Sequence, residues 1–233
     1  MNILKRIKQN GIRYSFAIAF NRLVPEKLFR CRRYVVYQLA QPQRNAKTNS
    51  PVNVRWCRSE PEYEAVENLT QFRRSPEHRG YKACRATVGG ELAGGAWCAK
   101  TMFRESALGV SYKLTPGQVW LFAAMVDTRF RRQGVYREVL RFMLAETDAT
   151  GLLQKLVAVN PDNIGSNKIH QLHASRKLGT VVAIRVFKTT VCFTFGDIKR
   201  DRTIAWNCDR NPVELTFPIG VNNQEKVVPL AAT

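Results

Sequence analysis

The sequence predicts an α/β (α+β) chain, one well-cored domain with an extension at each end. Three observations predict it. Residues 119–126 are nearly all apolar, which suits a strand buried on both faces. A charged loop with one glycine follows and leads into apolar residues at helical spacing. Two runs rich in β-branched and aromatic residues, 180–187 and 189–195, close the pattern as strands.

The elements read in order as follows. Residues 1–50 carry eleven lysines and arginines against a single acid, Glu26. Ile3, Leu4, Ile7, Ile12, Phe16, Leu23, Val24, Leu28 and Phe29 lie among them, and the stretch predicts one or two basic helices broken near Gly11 and Pro25. Residues 41–51 are polar, with prolines towards both ends, and read as a linker. The domain then spans 51–196. It opens with a strand at 52–57. A helix starting near Pro61 follows, with Ser59 placed to cap it and Glu60, Glu62 and Glu64 in its first turn. Strands 82–88 and 92–100 flank Gly89-Gly90, a hairpin signal.

After the 119–126 strand and the loop 127–134, a helix at 136–146 presents Tyr136, Val139, Leu140, Met143 and Leu144 on one face. Arg137, Glu138 and Arg141 take the other. Residues 154–159 form a second buried strand. The turn 160–163 enters a helix that is expected to stop at Lys177-Leu178-Gly179, with Gly179 in the position after the cap and the helix about one turn longer than usual. The order is β-α-β-β-β-α-β-α-β-β. Residues 197–233 form a C-terminal extension with one candidate strand at 213–217.

Composition narrows the class. Hydrophobic residues are 45% and charged residues 24%, ordinary for a globular protein. No segment approaches the roughly 20 apolar residues of a membrane span. The apolar run 16–20 is short for a signal-peptide core, so a cytoplasmic protein is expected. None of the six cysteines forms a C-x-x-C pair, and no Cys/His group has zinc spacing; free buried thiols and no metal are expected. Net charge is +19 and the pI about 10.2. Such a surface attracts polyanions: CoA, nucleic acid or anionic lipid. No RNA- or DNA-binding motif supports nucleic acid. Residues 1–50 have three readings: helices packed on the domain, a segment that docks on an anionic membrane surface and makes the protein peripheral there, and nucleic-acid contact, for which no motif speaks.

The unit that carries chemistry is strand, basic glycine loop, helix. A helix start has unpaired N–H groups and partial positive charge. A glycine just before it lets consecutive N–H groups face one anion, and Arg131 and Arg132 add charge. A pyrophosphate would fit.

The string 126–136, Val-Asp-Thr-Arg-Phe-Arg-Arg-Gln-Gly-Val-Tyr, resembles the acyl-CoA-binding motif of the GNAT superfamily of N-acetyltransferases. Arg131 stands at the motif's first position and Gly134 at its central one; Tyr136 departs from the small residue at its end. The element order over about 52–195 is similar to that fold, and Asn163 with Leu178-Gly179 resembles the family's next helix.

The resemblance implies a mixed, mostly antiparallel central sheet with a splayed acyl-CoA-binding gap, flanked by helices. It implies acyl transfer from acetyl-CoA or another acyl-CoA to a small-molecule or peptide amine, without a metal. Backbone N–H groups of Ala124, Met125 and Val126 would align the pantetheine arm. Those of Arg132, Gln133, Gly134, Val135 and Tyr136 would hold the pyrophosphate beside Arg131, and Asn163 would contact the CoA arm. The family's general acid is a tyrosine seven residues after that asparagine, which here is His170; counting back four from Gly179 gives Ser175 instead. His170 is the candidate, and no general base is assigned. Glu91 reads as solvated, and Glu105 precedes an irregular stretch that could border the acceptor. The other function class is a non-catalytic module of the same fold that binds an anionic ligand or a membrane surface.

Overall fold

The computed structural model describes residues 24–25, 28–40, 50–78, 80–149 and 154–219. Two sheets organise them. The larger has nine strands: β1 (Phe29–Leu39), β2 (Val52–Trp56), β3 (Lys82–Val88), β4 (Glu91–Ala99), β7 (Gln118–Val126), β8 (Gln154–Val159), β9 (Ala174–Val186), β10 (Thr189–Gly196) and β12 (Ile204–Ala205). Their order is β12-β10-β9-β1-β8-β7-β4-β3-β2. Every neighbouring pair is antiparallel except β7 with β8. The mixed, mostly antiparallel sheet is therefore as the sequence predicted. The smaller sheet has the order β11 (Lys199–Arg200), β13 (Val213–Thr216), β6 (Val110–Lys113), β5 (Met102–Glu105).

Among the described residues there are three α-helices, of about three to four turns each: α1 (Glu60–Thr70), α2 (Val135–Ala149) and α3 (Ile164–His173). Four residues of the apolar stripe predicted for α2, Val139, Leu140, Met143 and Leu144, are buried with Val135 in the core that holds Ala86, Ala96, Val119 and Leu121 of the sheet, while Tyr136 lines a cavity instead. Trp56 clamps its far end through a ring contact with Phe142 at 5.3 Å and an indole N–H donated to Glu146 at 3.0 Å. Glu138, read as surface, is buried, with Arg137 and Arg141 at 3.3 and 3.2 Å. The opposite face of the sheet packs on Val66 of α1 and on Tyr112, Val213, Leu215 and Phe217 around the small sheet. Residues 198–217 thus contribute directly to the core.

Two expectations are corrected. Residues 29–39, read as part of basic helices, form the strand at the middle of the large sheet. Tyr34 and Val36 enter one core and Val35, Tyr37 and Leu39 the other. Alternation that serves two buried faces leaves no polar–apolar signal, and the adjacent arginines masked the β-branched and aromatic run behind them. Phe16 and the other apolar residues before Leu23 lie outside the described residues, as does most of the linker at 41–51. Second, the helix expected to reach Gly179 ends at His173, and Ala174 already begins β9. Gly179 is a strand residue opposite Val36 and Gly196. A Cβ there would fall 2.0 Å from the Phe195 carbonyl oxygen, so close strand approach, not a helix stop, requires glycine.

Candidate active site

The large sheet forks. β7 and β8 pair from Gln118↔Gln154 to Leu121↔Val157 and no further. On its other edge β7 pairs with β4 at Trp97↔Phe122 and again at Gly95↔Met125, so Ala123 and Ala124 together face Ala96. This is a β-bulge, and Ala123 holds a left-handed φ of 47°. Such a conformation costs a non-glycine residue of order 1 kcal/mol or more. It redirects the strand where it parts from β8.

The loop after β7 is pinned. Asp127 accepts from the Arg129 N–H at 2.9 Å and caps the short turn Thr128–Phe130. The Arg129 guanidinium then donates to Asp127 and, at 3.0 Å, to Glu91 in the β3–β4 hairpin. Arg132 and Gly134 both have positive φ, 68° and 77°. The first helical bond of α2 runs from the Glu138 N–H to the Gly134 carbonyl at 3.1 Å. The N–H groups of Val135, Tyr136 and Arg137 before it have no carbonyl inside the helix to reach. Arg131 and Arg132 are exposed and, among the described residues, make no side-chain hydrogen bond or ion pair.

A cavity of about 730 Å³ runs from the fork to this loop. Ala124 and Val126 of β7 line it, as do Arg131, Arg132, Gly134, Val135 and Tyr136 of the loop and α2. Across it stand Asn163 and His170 of α3. Two residues named from the sequence, Met125 and Gln133, are outside the lining. Asn163 is the N-cap of α3, its side-chain oxygen accepting from the Ser166 N–H at 3.2 Å. Ser175 sits on β9 with its hydroxyl near the Gln38 carbonyl, away from the cavity.

His170 is buried, with both ring nitrogens engaged. Nδ1 lies 2.7 Å from the Ser166 carbonyl oxygen, which can only accept, so the ring proton sits there. Nε2 then accepts from the Tyr136 hydroxyl at 2.7 Å. Burial lowers the His170 pKa, with His173 adding to the effect, and burial pushes the Tyr136 phenol far up. The departure at Tyr136 and the histidine 34 residues later are therefore one feature, a neutral hydrogen-bonded pair joining α2 to α3 across the cavity wall. The sequence held no signal for this pairing.

A second cavity, of about 1220 Å³, opens at the same fork. Leu121, Phe122, Ala123 and Ala158 line both cavities. Glu105, which the sequence placed before an irregular stretch, ends β5 and lines this second space. Among the described residues no cluster of His, Cys, Asp or Glu could hold a metal ion, and no helix is long and apolar enough to cross a membrane.

Comparison with known proteins gives a family. Three solved structures illustrate the range of likeness. A putative GNAT-family acetyltransferase from Novosphingobium aromaticivorans is 12% identical, with 67% of this chain and 60% of that one covered and a TM-score of 0.45. A GCN5-related N-acetyltransferase from Kribbella flavida is 14% identical, covering 75% and 62%, with a TM-score of 0.44. The ribosomal-protein-S18-alanine N-acetyltransferase of Escherichia coli is 17% identical, covering 52% and 75%, at 0.40. The chain thus spans about 60% of the length of the first two. No curated protein sequence matches. The profile of the Acetyltransferase (GNAT) family matches residues 36–174, which include the fork, the glycine loop and both members of the Tyr136–His170 pair. That match covers more than half of the chain, and the chain belongs to the GNAT acetyltransferase family.

Proposed function

We propose that the protein transfers an acyl group, most simply acetyl, from an acyl-CoA to an amine. The observation that carries this reading is one continuous cavity joining the strand fork to the positive-φ loop at the start of α2. The unpaired N–H groups of Val135 and Tyr136, with Arg131 and Arg132 beside them, suit a pyrophosphate. The Ala123–Ala124 bulge frees β7 from β8 for a pantetheine arm, whose strand-like amides would bond to the backbone there. Bound acyl-CoA supplies a thioester-activated acyl group. The single Tyr136 hydroxyl proton rests in the bond to His170 Nε2; to reach the departing CoA sulfur it would leave that bond by rotation about the phenol C–O bond, while His170 holds the ring of Tyr136 at the cavity wall.

A thiol-release assay with acetyl-CoA and pooled amines tests the reading. Turnover is expected, with His170→Gln and Tyr136→Phe lowering it at least tenfold and changing CoA affinity less than threefold. CoA binding with no turnover against any pool would favour the non-catalytic module instead. Unchanged turnover in both variants would remove the pair from the mechanism.

A further inference from the structure

The second cavity differs sharply in chemistry from the first. It lies where β1 runs past the end of β8: β8 pairs only with Val35 to Leu39, leaving residues 29–34 open on that edge. Five arginines line it, Arg30, Arg32, Arg33, Arg73 and Arg104, against two carboxylates, Glu105 and Asp162. Much of that charge is already engaged. Arg30 donates to the Val24 carbonyl at 2.8 Å, Arg104 faces Glu77 at 3.5 Å, and Glu105 is matched by Arg32 at 3.6 Å. Arg73 donates to Asn68 at 2.7 Å and pairs with Glu67 at 3.7 Å, yet stays 64% exposed. Arg33 is exposed and, among the described residues, its guanidinium has no partner.

The floor is apolar. Phe103 and Phe122 meet at a tilt with centroids 4.3 Å apart, and Phe72 meets Phe122 edge-on at 5.0 Å. Tyr34 belongs to this wall. Its hydroxyl is buried and makes no hydrogen bond of ordinary geometry, although Arg32 and Tyr112 lie beside it.

We propose that this cavity is the acceptor site and that it selects an amine that also bears a carboxylate or phosphate and has an apolar body. The inference rests on the first cavity being the acyl-CoA side, because the shared residues Phe122 and Ala123 then put the acyl group at the boundary. In the transfer the acceptor nitrogen bonds to the acyl carbon as the carbon–sulfur bond breaks; the nitrogen loses one proton and the sulfur gains one. Excess arginine charge favours the neutral, nucleophilic amine over the ammonium form. It also repels polycations, while an acceptor's own anion, held by Arg33 and Arg73, offsets the repulsion and fixes orientation. Aromatic rings beneath give an apolar body a place to stack.

The test uses the full chain with acetyl-CoA and matched acceptors: tyrosine against tyramine, phosphoethanolamine against ethanolamine, and spermidine as the polycation. The anionic member of at least one pair is expected to have kcat/KM at least tenfold above its partner, and spermidine to be poorest. The two pairs distinguish carboxylate from phosphate. Arg33→Glu should collapse the preference through KM, and Arg33→Lys should restore part of it. Equilibrium dialysis of N-acetyltyrosine against N-acetyltyramine, with and without CoA, reads selectivity even without turnover. Equal binding of the two together with equal use of phosphoethanolamine and ethanolamine, or spermidine as the best acceptor, overturns the proposal. Failure to bind acetyl-CoA would instead overturn the reading of the first cavity.

Discussion

All three histidines, His78, His170 and His173, have their pKa values lowered chiefly by burial. The folded chain therefore takes up these protons at lower pH than the unfolded chain. The stability they contribute is complete above the unfolded value of about 6.5 and is lost as pH falls through the folded values. The melting temperature should stay level between about pH 8 and 7 and drop from about 6.5 to 5. His170→Asn should flatten that drop; an unchanged slope would place the titration elsewhere. Gly179 offers a separate check. A methyl group there meets a backbone oxygen that no rotamer change can move aside. Gly179→Ala should cost about 3 kcal/mol, or roughly 6–12 °C in Tm for a chain of this size. A calorimetric scan within 2 °C of wild type would contradict the close approach. Gly134 could be read from sequence because its signal is local: strand, basic residues, glycine, amphipathic helix. Tyr136 and His170 could be named singly, but their hydrogen bond depends on how α2 and α3 are set around the fork.

At the scale of elements, strands with a continuous apolar run or a clear turn were legible. The β3–β4 hairpin, β7, β8 and β10 lie within a residue or two of their sequence boundaries. Elements defined by distant pairing were not. β1 is sandwiched between β8 and β9, each more than 100 residues away along the chain, and its apolar residues serve both faces. β9 begins early because β1 offers it a long edge: Arg176 and Lys177, helical by local pattern, pair with Gln38 and Tyr37. Of the small sheet only β13 was legible, as the candidate strand at 213–217; its parallel pairing with β6, across a hundred residues, was not. If β1 is central, Val36→Asp puts an unpaired carboxylate where the side chain is fully buried on a shared strand. Loss of the cooperative melt is expected, a cost above about 4 kcal/mol. A soluble variant with wild-type far-UV circular dichroism and Tm would return this segment to the periphery.

At the scale of the molecule, the fork opens on two sides of one sheet. One side offers backbone N–H groups and the free arginines Arg131 and Arg132; the other offers an aromatic floor ringed by arginine. A row of glutamines closes the opposite end of the strands. Gln118 donates to Gln154 at 2.6 Å, and Gln154 to Gln38 and to the Pro218 carbonyl, both at 3.1 Å, which ties the C-terminal segment across β7, β8 and β1. The strands are thus fixed at one end and parted at the other. The net charge of +19 was visible from composition, but which arginines gather at the two cavities required the topology. Isothermal titration of CoA into the wild-type chain and Gly134→Asp bears most directly on this account. Wild type should bind one CoA per chain, and a folded Gly134→Asp should bind at least tenfold more weakly, on the order of 1.4 kcal/mol. No binding by wild type, or equal affinity in the folded variant, would contradict it.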